Sequence, residues 1–252
     1  MKTMDRLLVM MVAVVALLTI SVPVHASKMD SRIELSAKQS YVFKTYLQAD
    51  DIKIQSANGV VSLTGTVSEE SHKSLARETV ANLPGVKSVD NRLEVKGELP
   101  DENSDAWVMM KVKTTLWFHR SVSGFKTEVK NVKDGIVTLT GEATSQAQKD
   151  LTTEYAKDVQ GVKNVKNEMT VAVTKTSRTV GQNIDDASIT AQVKMMLLYH
   201  RSTSALNTSV TTKKGVVTLS GKAKNTTEKD RATKLVNDVN GVKSVKNLMT
   251  IE

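Results

Sequence analysis

One seven-residue pattern occurs three times in the chain, and its spacing constrains the fold more than any other feature. Gly59-Val-Val-Ser-Leu-Thr-Gly65 returns as Gly135-Ile-Val-Thr-Leu-Thr-Gly141 and as Gly215-Val-Val-Thr-Leu-Ser-Gly221, at separations of 76 and 80 residues. Each copy is followed, 26 residues after its first glycine, by a second signature: Gly85-Val-Lys-Ser-Val, Gly161-Val-Lys-Asn-Val and Gly241-Val-Lys-Ser-Val. Spacing that is constant within copies and variable between them means three separate domains joined by linkers, whereas stacked solenoids repeat every 20–50 residues or so. Only 4% of the residues are aromatic, so the cores rest on Val, Leu, Ile and Ala, which suits several small cores. Cysteine is absent, which excludes disulfides, thiolate metal sites, cysteine nucleophiles and a lipid attached through cysteine.

Overlaying the copies exposes the physics of one unit. Asn58-Gly59 and Asp134-Gly135 are strong two-residue hairpin signals because both central residues need positive φ, and Lys214-Gly215 is a weaker one. The strand after each turn alternates, with Val61, Leu63, Gly65 and Val67 on a covered face and Ser62, Thr64 and Thr66 on a wet one. Gly65, Gly141 and Gly221 fall on the covered face and are expected to be packing glycines that admit a helix or a bulge. A helix follows, starting near Ser68, Ser145 and Asn225, with Ser145-x-x-Gln148 and Asn225-x-x-Glu228 resembling capping boxes. Gly85, Gly161 and Gly241 are expected to cap its C-terminus. The last strand alternates as Val86, Val89, Leu93 and Val95, with a phase slip at residues 90–92 that predicts a bend or bulge.

Ahead of each hairpin lies another helix, clearest as Val108, Val112, Leu116 and Ile189, Val193, Leu197, with Asp105 and Asp186 near the starts, where a carboxylate suits the dipole. In copy one it falls within residues 31–47. The fold class is therefore α+β: three tandem αββαβ domains, each a small mixed three-stranded sheet with two helices on one face. The expected domains are 27–96, 105–173 and 184–252, with polar linkers 97–104 and 174–183 that predict a mobile, tethered array. Residues 1–26 read as a cleaved secretory signal: Lys2 and Arg6, an apolar run from Leu7 to Ile20, then Val24-His25-Ala26. Removing Lys2, Arg6 and Asp5 takes the net charge from +8 to +7. The expected location is the periplasm, without lipidation.

The G-x-V-x-L-x-G and G-V-x-x-V strands, present in all three copies, resemble those of the BON domain family, named for bacterial osmotically inducible and nodulation proteins. The resemblance implies a periplasmic, non-enzymatic protein of envelope integrity or osmotic stress, proposed to bind phospholipid surfaces or to act as a chaperone for exported proteins. A related two-domain lipoprotein carries a lipidated cysteine, which this sequence lacks.

No catalytic constellation stands against that expectation. His72, His119 and His200 form no H-E-x-x-H pair, and the paired glycines lack the Gly-Lys-Ser/Thr of a phosphate loop. Glu69-Glu70 and Asp185-Asp186 lie near helix starts, where dipole stabilisation explains them. We therefore expect no enzyme, no cofactor and no metal. The glycines 59, 65, 85, 135, 141, 161, 215, 221 and 241 are read as structural.

One motif exceeds what a core needs: Leu116-Trp117-Phe118-His119-Arg120 is echoed by Leu197-Leu198-Tyr199-His200-Arg201 at the end of the first helix. At 100° per residue Phe118 and Tyr199 lie about 200° beyond the core stripe. Two readings are open. Trp117, Phe118, Arg120, Tyr199 and Arg201 form exposed tips that contact an anionic phospholipid surface. Alternatively the rings fold back over the core edge and the His-Arg pair completes the C-terminal dipole. Net positive charge suits anionic surfaces, and export argues against nucleic acid as partner. Unfolded exported proteins, held along strand edges or interdomain clefts, are the alternative partner, and a structural protein with no single ligand is a third possibility.

Overall fold

The computed structural model describes residues 28–97, 99–122, 124–172, 183–203 and 207–252. The expected signal segment and nearly all of the second linker lie outside them. In the first repeat, α1 (Lys28–Gln39) and a short α2 (Tyr41–Thr45) precede β1 (Asp51–Ala57), β2 (Val60–Val67), α3 (Glu70–Ala81) and β3 (Ser88–Val95). The second has α4 (Asp105–Phe118), β4 (Thr127–Lys133), β5 (Ile136–Ala143), α5 (Gln146–Lys157), β6 (Asn164–Asn167) and β7 (Thr170–Val171). The third repeats it with α6 (Asp186–Tyr199), β8 (Thr208–Lys213), β9 (Val216–Ala223), α7 (Thr226–Asn237), β10 (Ser244–Asn247) and β11 (Thr250–Ile251).

Each sheet centres on the strand carrying the sequence signature. β1 lies antiparallel to β2, and β3 parallel to β2; the other repeats follow the same plan. Val61, Leu63 and Val67, Val137, Leu139 and Ala143, and Val217, Leu219 and Ala223 are all buried beneath the helices. The bend expected at residues 90–92 is absent, because β3 runs beside β2 without a shift of register; the last strand is split instead at the equivalent point of repeats two and three, each time beside an asparagine. Asn167 Oδ1 accepts from Met169 N at 3.0 Å while Nδ2 donates to Lys149 O of α5 at 2.9 Å. Asn247 does the same with Met249 N and Lys229 O. Asn91 bonds Leu93 N and Lys73 O in an unbroken β3.

The hairpin turns adopt positive φ at both residues, including Lys214 (φ 54) with Gly215 (φ 78). They are held by a carboxylate from the first helix. Asp30 Oδ2 and Oδ1 accept from Asn58 N and Gly59 N at 3.0 and 2.9 Å. Asp105 accepts from Asp134 N and Gly135 N at 2.8 and 2.9 Å, and Asp186 from Lys214 N and Gly215 N at 2.6 and 2.8 Å. Asp105 and Asp186 thus do more than suit a dipole: each satisfies two consecutive turn amides that a tight hairpin leaves exposed.

Two glycine roles differ from expectation. A Cβ on Gly65, Gly141 or Gly221 would strike the carbonyl oxygen of Asp51, Lys126 or Asn207, at or just before the start of the paired strand, so the close approach is to that backbone and not to a helix packed on the sheet. Gly85, Gly161 and Gly241 have positive φ but follow the helix end, whose C-caps are Asn82, Asp158 and Asp238. They make room for the first helix: a Cβ on Gly161 would come within 2.7 Å of Val108. The first helix of copy one also departs from a single span, because Ser40 ends α1 and caps α2 by accepting from Phe43 N.

The domains are packed together, not strung apart as the tethered array predicted. α6 is buried well beyond its expected stripe, with Ala187, Ser188, Thr190, Ala191, Gln192, Met195 and Met196 all inside. A helix apolar or small around its circumference has neighbours on several sides. Here they are the first repeat and α4. Asp185 caps α6 through Oδ1 on Ser188 N at 2.9 Å and takes Tyr41 N of α2 through Oδ2 at 2.8 Å. Lys194 and Lys113 reach Glu78 and Glu69 of the first repeat at 3.0 and 3.1 Å.

Candidate functional site

The helix tips singled out in the sequence lie in the contact between the second and third domains. Phe118 is fully buried and Tyr199 is 8% exposed, so neither ring offers a free membrane tip. The physical reason is a reciprocal exchange of backbone. His119 makes an antiparallel bridge with Val239, and His200 makes the mirror-image bridge with Val159. Arg120 N donates to Asp238 O and Asn240 N to Phe118 O, both at 2.9 Å. Arg201 N donates to Asp158 O at 3.0 Å and Gln160 N to Tyr199 O at 2.9 Å. The second and third domains clasp each other about a pseudo-twofold axis.

Side chains complete the clasp. Arg120 donates to the carbonyls of Val242 and Asn237, and Arg201 to Val162 O at 2.8 Å and Val159 O at 3.4 Å. Each guanidinium therefore serves the carbonyl-rich end of the other domain's helix, where a cation is favoured. The second reading of the sequence placed it on its own helix. His119 Nδ1 lies 3.0 Å from Asp238 Oδ2, and its ring stacks on Tyr155 at 3.6 Å. Burial outweighs Asp238 and pushes the His119 pKa down. Burial raises the Asp238 carboxyl, but bonds from His119, Ser121 and Tyr155 outweigh it and hold the group below the usual carboxylate range. His200 Nε2 is 3.7 Å from Asp158 Oδ2. Lys111, buried between Trp107 at 3.5 Å and Gln160 Oε1 at 3.1 Å, is pushed down to about 8 by desolvation.

Trp117 has a different setting, where all three domains meet. Tyr46 Oη bonds Trp117 O of the second domain at 3.2 Å and Gln192 Oε1 of the third at 3.4 Å. Its ring is stacked with Trp117 (5.9 Å) and Phe125 (6.0 Å) and meets Phe118 edge-on (5.4 Å). Burial raises the Tyr46 hydroxyl pKa far above its ordinary value. Phe125, in the turn Gly124–Lys126 before β4, is 64% exposed and forms the outer edge of this cluster. Trp117 is half-buried, with Lys113 Nζ 5.7 Å from its ring. Leu198, the counterpart of Trp117, is 48% exposed.

Sequence reasoning missed Phe125 and the carboxylates Asp158 and Asp238. The first lacked any periodic context. The second pair had a signal: Asp158-Val-Gln-Gly and Asp238-Val-Asn-Gly accompany the two His-Arg tips, whereas copy one has Asn82-Leu-Pro-Gly and Lys44 in place of histidine. Among the described residues no group of three or more His, Asp or Glu side chains could hold a metal ion. Nor is any described helix long and apolar enough to cross a membrane.

A known family model matches each of the three repeats. The BON domain matches residues 29–97, 104–173 and 185–252. The chain is 31% identical over 196 residues to Osmotically-inducible protein Y of Escherichia coli (strain K12), covering 78% of this chain and 95% of that protein. It is 31% identical over 141 residues to an Anaplasma centrale protein described as "Uncharacterized protein in gshII 5'region", covering 56% and 90%. Among solved structures, CdsD, a structural protein of the Type III secretion system of Chlamydia trachomatis, superposes with a TM-score of 0.24 at 16% identity, over 84% of this chain and 90% of that one. So loose a superposition says nothing about domain arrangement. With three matched domains spanning most of its length, the chain belongs to the BON domain family.

Proposed function

We propose that the protein is an exported, non-catalytic binding protein of the periplasm, serving envelope integrity under osmotic stress and contacting anionic phospholipid surfaces. The single observation that carries the membrane part is Phe125: a large ring 64% exposed, backed by the stacked rings of Tyr46 and Trp117 and followed by the exposed Lys126. An exposed aromatic beside lysines suits the headgroup zone, where the ring enters the interface and the ammonium meets phosphate. This moves the aromatic contact away from Phe118 and Tyr199, which the clasp buries. The net charge adds a long-range attraction. Similarity to a protein named for osmotic induction supports the stress setting.

Co-sedimentation with vesicles tests the reading. The wild type is expected to pellet with vesicles containing phosphatidylglycerol and not with neutral phosphatidylcholine alone. Phe125→Ser, at an exposed ring, should leave the fold intact and weaken pelleting by about tenfold. Wild type that stays in solution with both vesicles at low salt rejects the proposal. Among the described residues the first strand of each hairpin pairs on one edge only, which favours, as the second reading, capture of extended exported chains along that edge.

A further inference from the structure

The clasp is symmetric in its backbone but not in the grooves beside it. Next to Arg201 lies a groove of about 460 Å³ lined by Arg201, Ser202, Thr203, Lys224, Asn225, Thr227, Glu228 and Arg231. The corresponding positions in the second domain are Arg120, Ser121, Val122, Thr144, Ser145, Ala147, Gln148 and Leu151. Four of the changes add a hydrogen-bond donor or a cation: Val122 becomes Thr203, Thr144 becomes Lys224, Ala147 becomes Thr227 and Leu151 becomes Arg231. A domain core needs none of these, since the second domain folds the same way without them.

Two arginines and a lysine line the groove. Arg201 is anchored by the carbonyls of Val159 and Val162, which fixes the guanidinium plane. Arg231 Nη1 is 3.3 Å from Ser202 Oγ, so the second guanidinium lies against the same wall. Lys224, exposed at the rim, gives a third charge. Two carboxylates oppose them. Glu228 is buried, with Oε2 turned back to accept from Lys224 N at 2.7 Å. Asp158 is held below the usual carboxylate range, first by His200 and then by Arg231 and Arg201, against the opposing effect of its burial. Three cations against two carboxylates leave a positive excess, whereas the mirror groove sets Arg120 against Asp238 with nothing left over.

We propose that this groove of the third domain binds a phosphate-bearing ligand, with Arg201, Arg231 and Lys224 on the phosphate oxygens and Thr203 and Thr227 as hydroxyl donors. Planar arginine forks joined by a lysine point charge are a general solution to phosphate recognition. The volume falls within the range of small-molecule sites and exceeds what a bare oxyanion fills, so an ester fits. The same chemistry serves a free phosphate ester or a phospholipid headgroup. The groove shares no residue with the Phe125 cluster.

Calorimetric titration of the protein with glycerol 3-phosphate and with inorganic phosphate, at constant ionic strength set with chloride, is the test. Saturable one-site binding is expected, weakened at least tenfold in the double variant Lys224→Thr, Arg231→Leu, which restores the second domain's residues at two exposed positions and should melt like the wild type. The single variant Lys224→Thr, at the rim, provides a second reading if the double variant melts early. Absence of saturable heat, or equal binding by the folded variants, overturns the proposal. Vesicles then separate the sources. If the double variant loses affinity for phosphatidylglycerol vesicles as well, the ligand is a headgroup; if it binds them like the wild type while losing glycerol 3-phosphate, the ligand is soluble. Either result leaves the site standing, and Phe125→Ser tests the membrane contact separately.

Discussion

The imidazole of His119 and the carboxylate of Asp238 meet at 3.0 Å across the boundary between two domains, 119 residues apart in sequence. Removing the carboxylate would strand a buried ring nitrogen and take one partner from the Arg120 guanidinium, Nε of which lies 3.6 Å from Asp238 Oδ1. Asp238→Ala is expected to cost about 2–3 kcal/mol, as for hydrogen bonds to charged groups. Glu154→Ala, which removes the exposed pair with Lys157 at 3.5 Å, should cost under about 0.5 kcal/mol. Urea unfolding of both variants checks the contrast.

The same pair sets a pH dependence. The unfolded His119 takes up a proton as pH falls through about 6.5, while burial depresses its folded pKa. Protonation therefore favours the unfolded state, so this contribution is complete above about pH 6.5 and is lost as pH falls toward the folded value. Asp238, also depressed in the fold, adds a loss only at lower pH, below the unfolded carboxylate value near 4. The melting temperature should fall between pH 7.5 and 5, and His119→Gln should flatten that slope. A wild-type melting temperature unchanged over this interval would count against a buried neutral imidazole.

Each hairpin turn depends on one carboxylate with two amides. Asp186→Asn keeps a single acceptor oxygen for Lys214 N and Gly215 N, and a loss of about 1–2 kcal/mol is expected. Asp105→Asn should behave alike in the second domain. Thermal melts of the two variants should agree with each other, because the geometry repeats.

Gly141 and Gly97 both have positive φ, at 109° and 86°, but only Gly141 has backbone against its missing side chain. Gly97→Ala should cost only the left-handed penalty, about 1 kcal/mol. Gly141→Ala must also push Lys126 O aside and should cost at least about twice that. Equal losses in denaturant unfolding would show that the sheet accommodates the methyl.

The repeated glycine strand, the alternation around it and the capping residues Ser145 and Asn225 were legible in sequence because they are local: each depends on neighbours a few residues away. The positions of Phe118 and Tyr199 were not. A 100° step gives an angle around a helix, but what lies at that angle belongs to another domain, here the Val239 and Val159 bends. The breadth of burial on α6 could be read from Ala187, Ala191, Met195 and Met196, which leave no strongly polar face; a three-residue core stripe hides it. Phe125 carried no pattern at all, and its significance arises only from Tyr46 and Trp117 stacked behind it.

The domains form one clasped body, and the absence of native cysteine permits a direct test. His119 and Val239 form an antiparallel bridge pair without mutual hydrogen bonds, flanked by Arg120 N to Asp238 O and Asn240 N to Phe118 O. Such pairs bring their Cα atoms to about 4.5 Å, within disulfide reach. The double variant His119→Cys, Val239→Cys should therefore oxidise in air to a monomer with an internal disulfide and no free thiol, while the single variant His119→Cys should keep its thiol. Free thiols in the first variant, or a bond formed only between molecules, would contradict the clasp.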